Sequence, residues 1–192
     1  MAQHIEYNPE YITFQKLTEA DLSLMHRWLN KPHVHKWFKE CGKDEPTFQR
    51  VAGKYLPRIL GQEPVNCYLV LYDASPVAYI QSYRIEDSPT AKAMVTDSTN
   101  VAGTDTFIGE EDFLHRGFGD VYIRKFLREI VFPEPGITSC IIDPEPENKI
   151  AIRAYEKVGF RYSHKAWNAE DNVPAYIMVI NRDAVHSISD MV

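Results

Sequence analysis

The order of strand-like and helical segments is the feature of this sequence that most constrains its fold. Seven short segments have the alternating or compact apolar pattern of β-strands, and four longer ones repeat apolar residues at helical spacing. The predicted strands are 11–17, 66–73, 76–85, 104–109, 136–143, 160–167 and 174–180. The predicted helices are 18–30, 46–60, 117–132 and 147–158. Strands and helices interleaved in this order predict an α/β fold around one mixed central sheet.

Composition is typical of a globular protein and argues against several classes of partner. The chain has 192 residues, 44% hydrophobic and 25% charged, which predicts a single domain over 1–192 with a core at about 12–180. The net charge of −6 argues against nucleic acid and anionic membranes, although it also suits solubility alone. Because there is no long apolar run, and no apolar signal core at residues 1–10, we expect a cytoplasmic protein.

The cysteines and histidines show no disulfide or metal-binding spacing. The three cysteines are Cys41, Cys67 and Cys140, and their odd number and wide separation predict reduced thiols. His33 and His35 have no carboxylate or cysteine partner at ligand spacing, so we expect no metal site. Residues 30–38, which contain both histidines, are predicted to form a loop, and residues 86–105 show no clear period.

A glycine turn, His115–Asp120, lies between a predicted strand and a predicted helix. Gly117 and Gly119 allow close approach of a ligand to the backbone, and the first N–H groups of the helix form an anion site to which Arg116 adds positive charge. A plain loop-to-helix turn explains the same pattern, and the carboxylate of Asp120 would repel a phosphate. The turn is thus an anion-site candidate that needs further support.

The helix at 147–158 carries a polar stripe, and Gly159 is predicted to end it. Asn148 and Tyr155 share one face at helical spacing, and a phenol can give a proton to a departing thiolate. A second face, predicted to pack on the sheet, contains Ile150, Ala154 and Val158. Tyr155 is equally explained as a core aromatic residue of an amphipathic helix.

Taken together, the glycine turn and the segment "DPEPENKIAIRAYEKVGF" (143–160) resemble the GNAT superfamily of acetyl-CoA-dependent N-acetyltransferases. The residues that carry the likeness are Asn148, Ala151, Tyr155, Glu156, Lys157, Gly159 and Phe160. The resemblance implies a sheet of about six to seven strands flanked by helices, with a split between strands 4 and 5 that receives the thioester.

The same resemblance implies acetyl-CoA as the co-substrate and assigns residues to it. The pyrophosphate would lie at Arg116, Gly117, Phe118, Gly119 and Asp120, and the pantetheine arm at Asn148 and Ala151. Tyr155 would protonate the leaving thiolate. The sequence departs from the family's usual turn at Leu114, His115 and Asp120, which puts the affinity for coenzyme A in doubt.

The upstream half is similar to the aminoglycoside 6′-N-acetyltransferases. The pattern Gly-x-Asp-x-x-Ile-Gly at 103–109 and the pattern Trp-Leu-Asn-x-Pro-His at 28–33 carry this likeness. It implies that Asp105 lies at the amine end of the acetyl donor, and that Trp37 and Phe38 help to enclose the substrate.

The implied chemistry is a direct attack of an amine on a thioester. Asp105 would hold the ammonium group and take its proton, and backbone N–H groups near Phe107 and Ile108 would stabilise the oxyanion. Tyr155 would protonate the departing sulfur, so that no covalent enzyme intermediate is needed.

A cationic small molecule with several amines would suit an acidic pocket. Asp97, Asp105 and Asp143 are its candidate residues, although Asp143 also suits a strand-end cap before a proline. The neighbouring run Glu110–Asp112 is predicted to be a solvated loop.

Other functions remain open on the sequence alone. A siderophore hydroxylamine, a polyamine or a protein N-terminus can replace the aminoglycoside as acceptor, and a non-catalytic module that binds coenzyme A is a further alternative. We expect a monomer or a homodimer, with neither nucleic acid nor membrane as a partner.

Overall fold

The computed structural model describes residues 7–42, 44–169 and 172–187. Residues 1–6, which include part of the segment used to predict the cellular location, lie outside the described residues. The strands are β1 (Ile12–Lys16), β2 (Val65–Tyr72), β3 (Ser75–Arg84), β4 (Val101–Ile108), β5 (Ser139–Ile142), β6 (Arg161–Asn168) and β7 (Val173–Asn181). The helices are α1 (Leu22–Leu29), α2 (Pro32–His35), α3 (Phe48–Ile59), α4 (Pro89–Ala93), α5 (Phe118–Phe126), α6 (Lys149–Val158) and α7 (Arg182–Ser187).

All seven strands belong to one mixed sheet with the order β1-β2-β3-β4-β5-β7-β6. Neighbouring strands are antiparallel except β4 and β5, which pair in parallel from Val101↔Ser139 to Gly103↔Ile141. Beyond Gly103, β4 continues to Ile108 without pairing to β5. This confirms the predicted α/β fold and the predicted split between strands 4 and 5.

The sheet separates two apolar layers because successive side chains of a strand point to opposite faces. On β3, Ala78 and Ile80 belong to the core beneath α5 and α6, whereas Tyr79 belongs to the core beneath α1 and α3. A third, smaller cluster joins α4 to the β5 and β7 region. In the described residues, no helix is both long enough and apolar enough to cross a membrane.

Two segments contain short helices that the sequence pattern did not predict. Residues 30–38 include α2, which has Pro32 at its first position and a bond from the Val34 N–H to the Lys31 carbonyl. The segment 86–105 includes α4, where the Ser88 hydroxyl oxygen accepts the Ala91 N–H as an N-terminal cap. Helices of one turn are too short to show an apolar period, so the proline at the start of each was their main local signal.

The predicted buried face of α6 is partly wrong. Ile150 is 62% exposed, and the buried stripe is Ile152, Tyr155 and Val158. The helix starts after its cap Asn148, which leaves Ile150 in the first turn, pointing away from the core.

Candidate active site

A cavity of about 660 Å³ opens where β4 and β5 separate. Most of the residues around it come from α2 and the segment after it, from α4 and its flanks, from the end of β4, from the N-terminus of α5, from the segment that follows β5, and from α6. Tyr83 of β3, Asn168 of β6 and Val173 of β7 complete the lining. A gap between diverging parallel strands exposes backbone groups that a continuous sheet would pair. The cavity therefore combines free main-chain groups with side chains from both halves of the sheet.

The two glycines of the 103–109 pattern admit large aromatic rings beside β4. A Cβ at Gly103 would lie 2.5 Å from the Tyr83 ring, and a Cβ at Gly109 would overlap the indole of Trp28. Trp28 in turn donates its indole N–H to Glu110 at 2.7 Å. The pattern is thus explained by close packing on both sides of Asp105, which fixes the strand that carries it.

Asp105 lines the cavity from β4 and lies opposite Gln81 of β3 in the sheet register. The Gln81 amide donates a hydrogen bond to Asp105 Oδ2 at 2.8 Å. The same amide nitrogen donates to Glu40 Oε1, also at 2.8 Å. Two carboxylates, one predicted and one not, therefore share a single buried amide at this end of the cavity.

Glu40 is the carboxylate that the sequence analysis missed. It lines the cavity and pairs with Arg58 at 2.9 Å. Burial alone would raise the pKa of this carboxyl, but the Arg58 guanidinium, its hydrogen bond and that of Gln81 hold the pKa below its usual range. Nothing in the local sequence marks this residue, because its partners come from α3 and β3.

Tyr155 lines the cavity from α6 and is otherwise buried. Burial raises the pKa of its phenol, and Tyr122, Asp105 and Asp143 act in the same direction. The phenol therefore stays protonated at neutral pH. Asp105, Asp143 and Tyr155 line the same cavity, so residues from the two sides of the split face a common space.

Of the two backbone groups predicted to bind an oxyanion, one faces the cavity. The Gly109 N–H donates to the Val77 carbonyl of β3, so by the alternation of an antiparallel ladder the Phe107 N–H also points to β3. The Ile108 N–H points the other way, as does its carbonyl, which lies 3.0 Å from His33 Nε2.

The glycine turn leads into α5 as predicted. Gly117 adopts a left-handed φ of 85° and is the N-cap of α5. A Cβ added at Gly119 would meet no heavy atom within 4 Å, so the turn has open space in front of it. Gly117, Phe118, Gly119 and Asp120 all line the cavity, whereas Arg116 is exposed and is not among the lining residues.

Basic side chains of α6 line the same cavity. Arg153 and Lys157 line it together with the first turn of α5. These two residues, rather than Arg116, bring positive charge from this side of the fold to the cavity wall. Their spacing of four residues places them on one helical face.

Asn148 and Ala151 both line the cavity at the N-terminus of α6. The Asn148 side chain accepts the Ala151 N–H at 3.2 Å, and so caps the helix. This cap holds the two residues in a fixed relation to each other at the cavity wall.

Trp37 and Phe38 line the cavity on the side of α2. Phe38 packs on Phe107 with ring centroids 4.8 Å apart, which anchors the segment to β4. The next residue, Lys39, reaches across to Glu145 at 2.7 Å. This ion pair ties the segment after α2 to the segment that follows β5.

The remaining acidic candidates differ in position. Asp143 follows β5 and lines the cavity, whereas Asp97 is exposed and is not among the lining residues. Asp97 instead accepts the Thr99 N–H at 2.8 Å, a bond that lowers the pKa of its carboxyl. The prediction that Glu110 belongs to a solvated loop is wrong. Its carboxylate accepts hydrogen bonds from Lys31 at 2.8 Å and from the Trp28 indole.

Among the described residues, no group of three or more histidine, cysteine, aspartate or glutamate side chains is placed to hold a metal ion. The three cysteines are buried free thiols. Burial raises the pKa of each thiol, most strongly for Cys140 and to about 11 for Cys41, which keeps them protonated.

Residues 18–167 match the family model described as "Acetyltransferase (GNAT) domain". The chain is 33% identical over 175 residues to the aminoglycoside N(6′)-acetyltransferase type 1 of Klebsiella pneumoniae, covering 90% of this chain and 84% of that protein. A protein of Rhizobium radiobacter named for kanamycin resistance is 34% identical over 84 residues, 44% of this chain and 75% of that one.

Solved structures agree with the sequence relatives. AAC(6′)-Ib in complex with ribostamycin and coenzyme A has a TM-score of 0.81 at 33% identity, over 91% of this chain and 96% of that chain. The same enzyme with paromomycin and acetyl-CoA has a TM-score of 0.80 at 33% identity and the same coverage. The match of the family model over most of the chain and the agreement of these folds show that this chain belongs to the GNAT family of acetyltransferases.

Proposed function

We propose that this enzyme transfers the acetyl group of acetyl-CoA to the 6′-amine of an aminoglycoside. The observation that carries the proposal is that Asp105 and Tyr155, on opposite sides of the β4–β5 gap, line one cavity. The similarity to aminoglycoside N(6′)-acetyltransferases over 90% of the chain supports the substrate class.

The charged groups and the open space around the cavity suit acetyl-CoA. The open space at Gly119, with Arg153 and Lys157 nearby, suits the pyrophosphate, and the first N–H groups of α5 add donors. Asn148 caps α6, Ala151 lies in its first turn and Tyr155 follows on the same helix. All three residues line the cavity. Asp120, at the same turn, opposes an anion by charge and would weaken this binding.

The acidic part of the cavity fits a polycationic acceptor. Asp105, Asp143 and Glu40 all line it, which favours a substrate with ammonium groups. Trp37 offers an aromatic surface to the sugar rings. Asp97 is exposed and engaged in a turn, so the proposed substrate contacts do not include it.

In the proposed reaction, acetyl-CoA supplies an activated thioester carbonyl. The Asp105 carboxylate accepts a proton from the substrate ammonium, directly or through water, and so frees the lone pair for attack. The Ile108 N–H stabilises the negative charge that develops on the carbonyl oxygen. The C–S bond then breaks, and Tyr155, held neutral by burial, donates its proton to the departing sulfur. The second proton of the attacking nitrogen, which becomes acidic once the N–C bond has formed, passes through solvent to the Tyr155 phenolate and restores the phenol. No residue of the enzyme is acylated.

The test is the release of coenzyme A thiol from acetyl-CoA, measured with and without kanamycin- and tobramycin-type aminoglycosides. Release that depends on the aminoglycoside, with the product acetylated at the 6′-amine by NMR, supports the proposal. Release of the thiol only with a hydroxylamine, a polyamine or a peptide N-terminus would support acetyl transfer but would show that the acceptor is not an aminoglycoside. Binding of acetyl-CoA without turnover for any of these amines would contradict catalysis.

A further inference from the structure

Gln81 lies directly behind Asp105 and out of reach of a substrate. The two residues are cross-strand partners on β3 and β4, and Gln81 is 1% exposed. Asp105 lines the cavity, whereas Gln81 is not among its lining residues. Any effect of this side chain on the reaction must therefore pass through the groups that it holds.

The amide of Gln81 makes four hydrogen bonds, two on each side. Its Oε1 accepts from Arg58 Nη1 at 2.8 Å and from the Tyr79 hydroxyl at 2.6 Å. Its Nε2 donates to Glu40 Oε1 and to Asp105 Oδ2, each at 2.8 Å. A guanidinium can only donate, and an ionised carboxylate can only accept. The amide therefore has one allowed orientation, with its N–H groups towards the two carboxylates.

Arg58 and Glu40 are bonded to each other as well as to Gln81. Arg58 Nη1 donates to Glu40 Oε2 at 2.9 Å, and the Tyr55 hydroxyl donates to the same oxygen at 3.2 Å. Arg58 Nε also pairs with Glu63 at 3.2 Å. The Arg58–Glu40 pair is largely buried. In such a low-dielectric environment its hydrogen bonds are stronger than those of an exposed pair, and this fixes its geometry.

We propose that Gln81 is a positioning residue that holds the Asp105 carboxylate for amine deprotonation, and that the Arg58–Glu40 pair sets the direction of its amide. This inference rests on the proposed function, in which Asp105 is the base. It assigns a role to three residues that are distant in the chain and that the 103–109 pattern does not include.

Loss of the Gln81 amide should change the ionisation of Asp105. A donated N–H favours the charged form of a carboxyl group, so its loss should raise the pKa of Asp105. Five other titratable groups surround Asp105 and influence its ionisation: Tyr83 on β3, Cys140 on β5, Tyr155 on α6, Asp143 after β5, and Glu40 on the other side of the amide. Gln81→Met leaves these side chains themselves unchanged, although Glu40 also loses its hydrogen bond to the amide.

The first experiment is a direct titration of Asp105 by carboxyl ¹³C NMR, with its signal assigned by its loss in Asp105→Asn. Gln81→Met keeps the side-chain volume and removes both donors, and we expect the titration to move up by about one pH unit. If that variant does not fold, Gln81→Asn keeps an amide but withdraws it by one methylene, and the same upward shift is expected. Circular dichroism establishes folding.

The matched control is Thr104→Val. The Thr104 hydroxyl donates to the Gln81 main-chain carbonyl at 2.8 Å and is as buried as the Gln81 amide. It adjoins Asp105 on β4 but does not line the cavity. Its replacement removes one buried hydrogen bond without touching the amide, so the Asp105 titration should stay where it is in the wild type.

The second readout is the pH profile of kcat/KM for an acceptor amine. The ionisation of the free substrate is the same for every variant, so a displaced acidic limb belongs to the enzyme. We expect displacement to higher pH in Gln81→Met and none in Thr104→Val. An unchanged Asp105 titration in Gln81→Met would overturn the positioning role. Failure of the wild type to acetylate any amine would instead refute the proposed function, while the NMR shift still tests Gln81.

Discussion

At the residue scale, the proposed chemistry depends most directly on the hydroxyl of Tyr155. Replacement by phenylalanine removes that oxygen and keeps the ring, which packs near Phe160 with centroids 6.1 Å apart. We expect kcat to fall by about 10²-fold or more, because a positioned acid typically contributes ~10² to 10⁴. Acetyl-CoA affinity, measured by calorimetry, should stay within about twofold. An unchanged kcat would exclude Tyr155 as the acid.

Asp105 and Asp97 offer a second comparison at this scale, because both were predicted to bind substrate and only one lines the cavity. Asp105→Asn keeps the side-chain shape and removes the base, so kcat/KM should fall by about 10²-fold or more. Asp97→Asn should leave it unchanged, since its carboxylate is exposed and engaged by Thr99. Steady-state kinetics with one aminoglycoside decide the matter. A large loss of kcat/KM in Asp97→Asn would show that Asp97 does contribute to substrate binding.

Local signals explain which residues could be predicted. Gly159 ends α6 as its sequence position indicated. Glu40, Arg58 and Gln81 escaped notice because only the packing of α3 on β3 and the pairing of β3 with β4 bring them to Asp105. No period or short motif records a contact of that range.

At the element scale, the position of β4 depends on the absence of a side chain at Gly109. A Cβ there would overlap the Trp28 ring, so Gly109→Ala must displace α1 or the end of β4. We expect a loss of about 1–3 kcal/mol in the free energy of unfolding, the usual cost of overpacking. Urea denaturation measures it. A variant as stable as the wild type would show that the indole moves freely.

Gly119→Ala makes the opposite case to Gly109→Ala, because Gly119 lies in the first turn of α5 beside open space. Nothing lies within 4 Å of the added Cβ, and alanine favours helix by up to about 1 kcal/mol over glycine. The unfolding free energy should therefore stay the same or rise. If the pyrophosphate occupies the space, KM for acetyl-CoA should nevertheless increase several-fold. Unaltered binding would place the pyrophosphate elsewhere, whatever the stability shows.

At the scale of the whole molecule, the sheet and its two layers bury several phenols whose ionisation opposes folding. Burial raises the pKa of Tyr55, Tyr79, Tyr83, Tyr122 and Tyr155 above the ordinary value. In the unfolded chain a tyrosine ionises near pH 10, so above that pH the unfolded state loses protons that the folded state retains. Stability is then present in full below about pH 10 and declines as pH rises.

The decline should be steep, since each such group contributes a slope of about 1.4 kcal/mol per pH unit between its unfolded and folded pKa. Urea unfolding between about pH 8 and pH 11 measures this dependence. Tyr122→Phe removes one of the phenols, together with its 2.7 Å bond to Thr106, and should make the alkaline slope shallower by one group. If the slope above pH 10 were the same in both proteins, the Tyr122 phenol would ionise equally in the folded and unfolded states, and its burial would contribute nothing to the alkaline loss of stability.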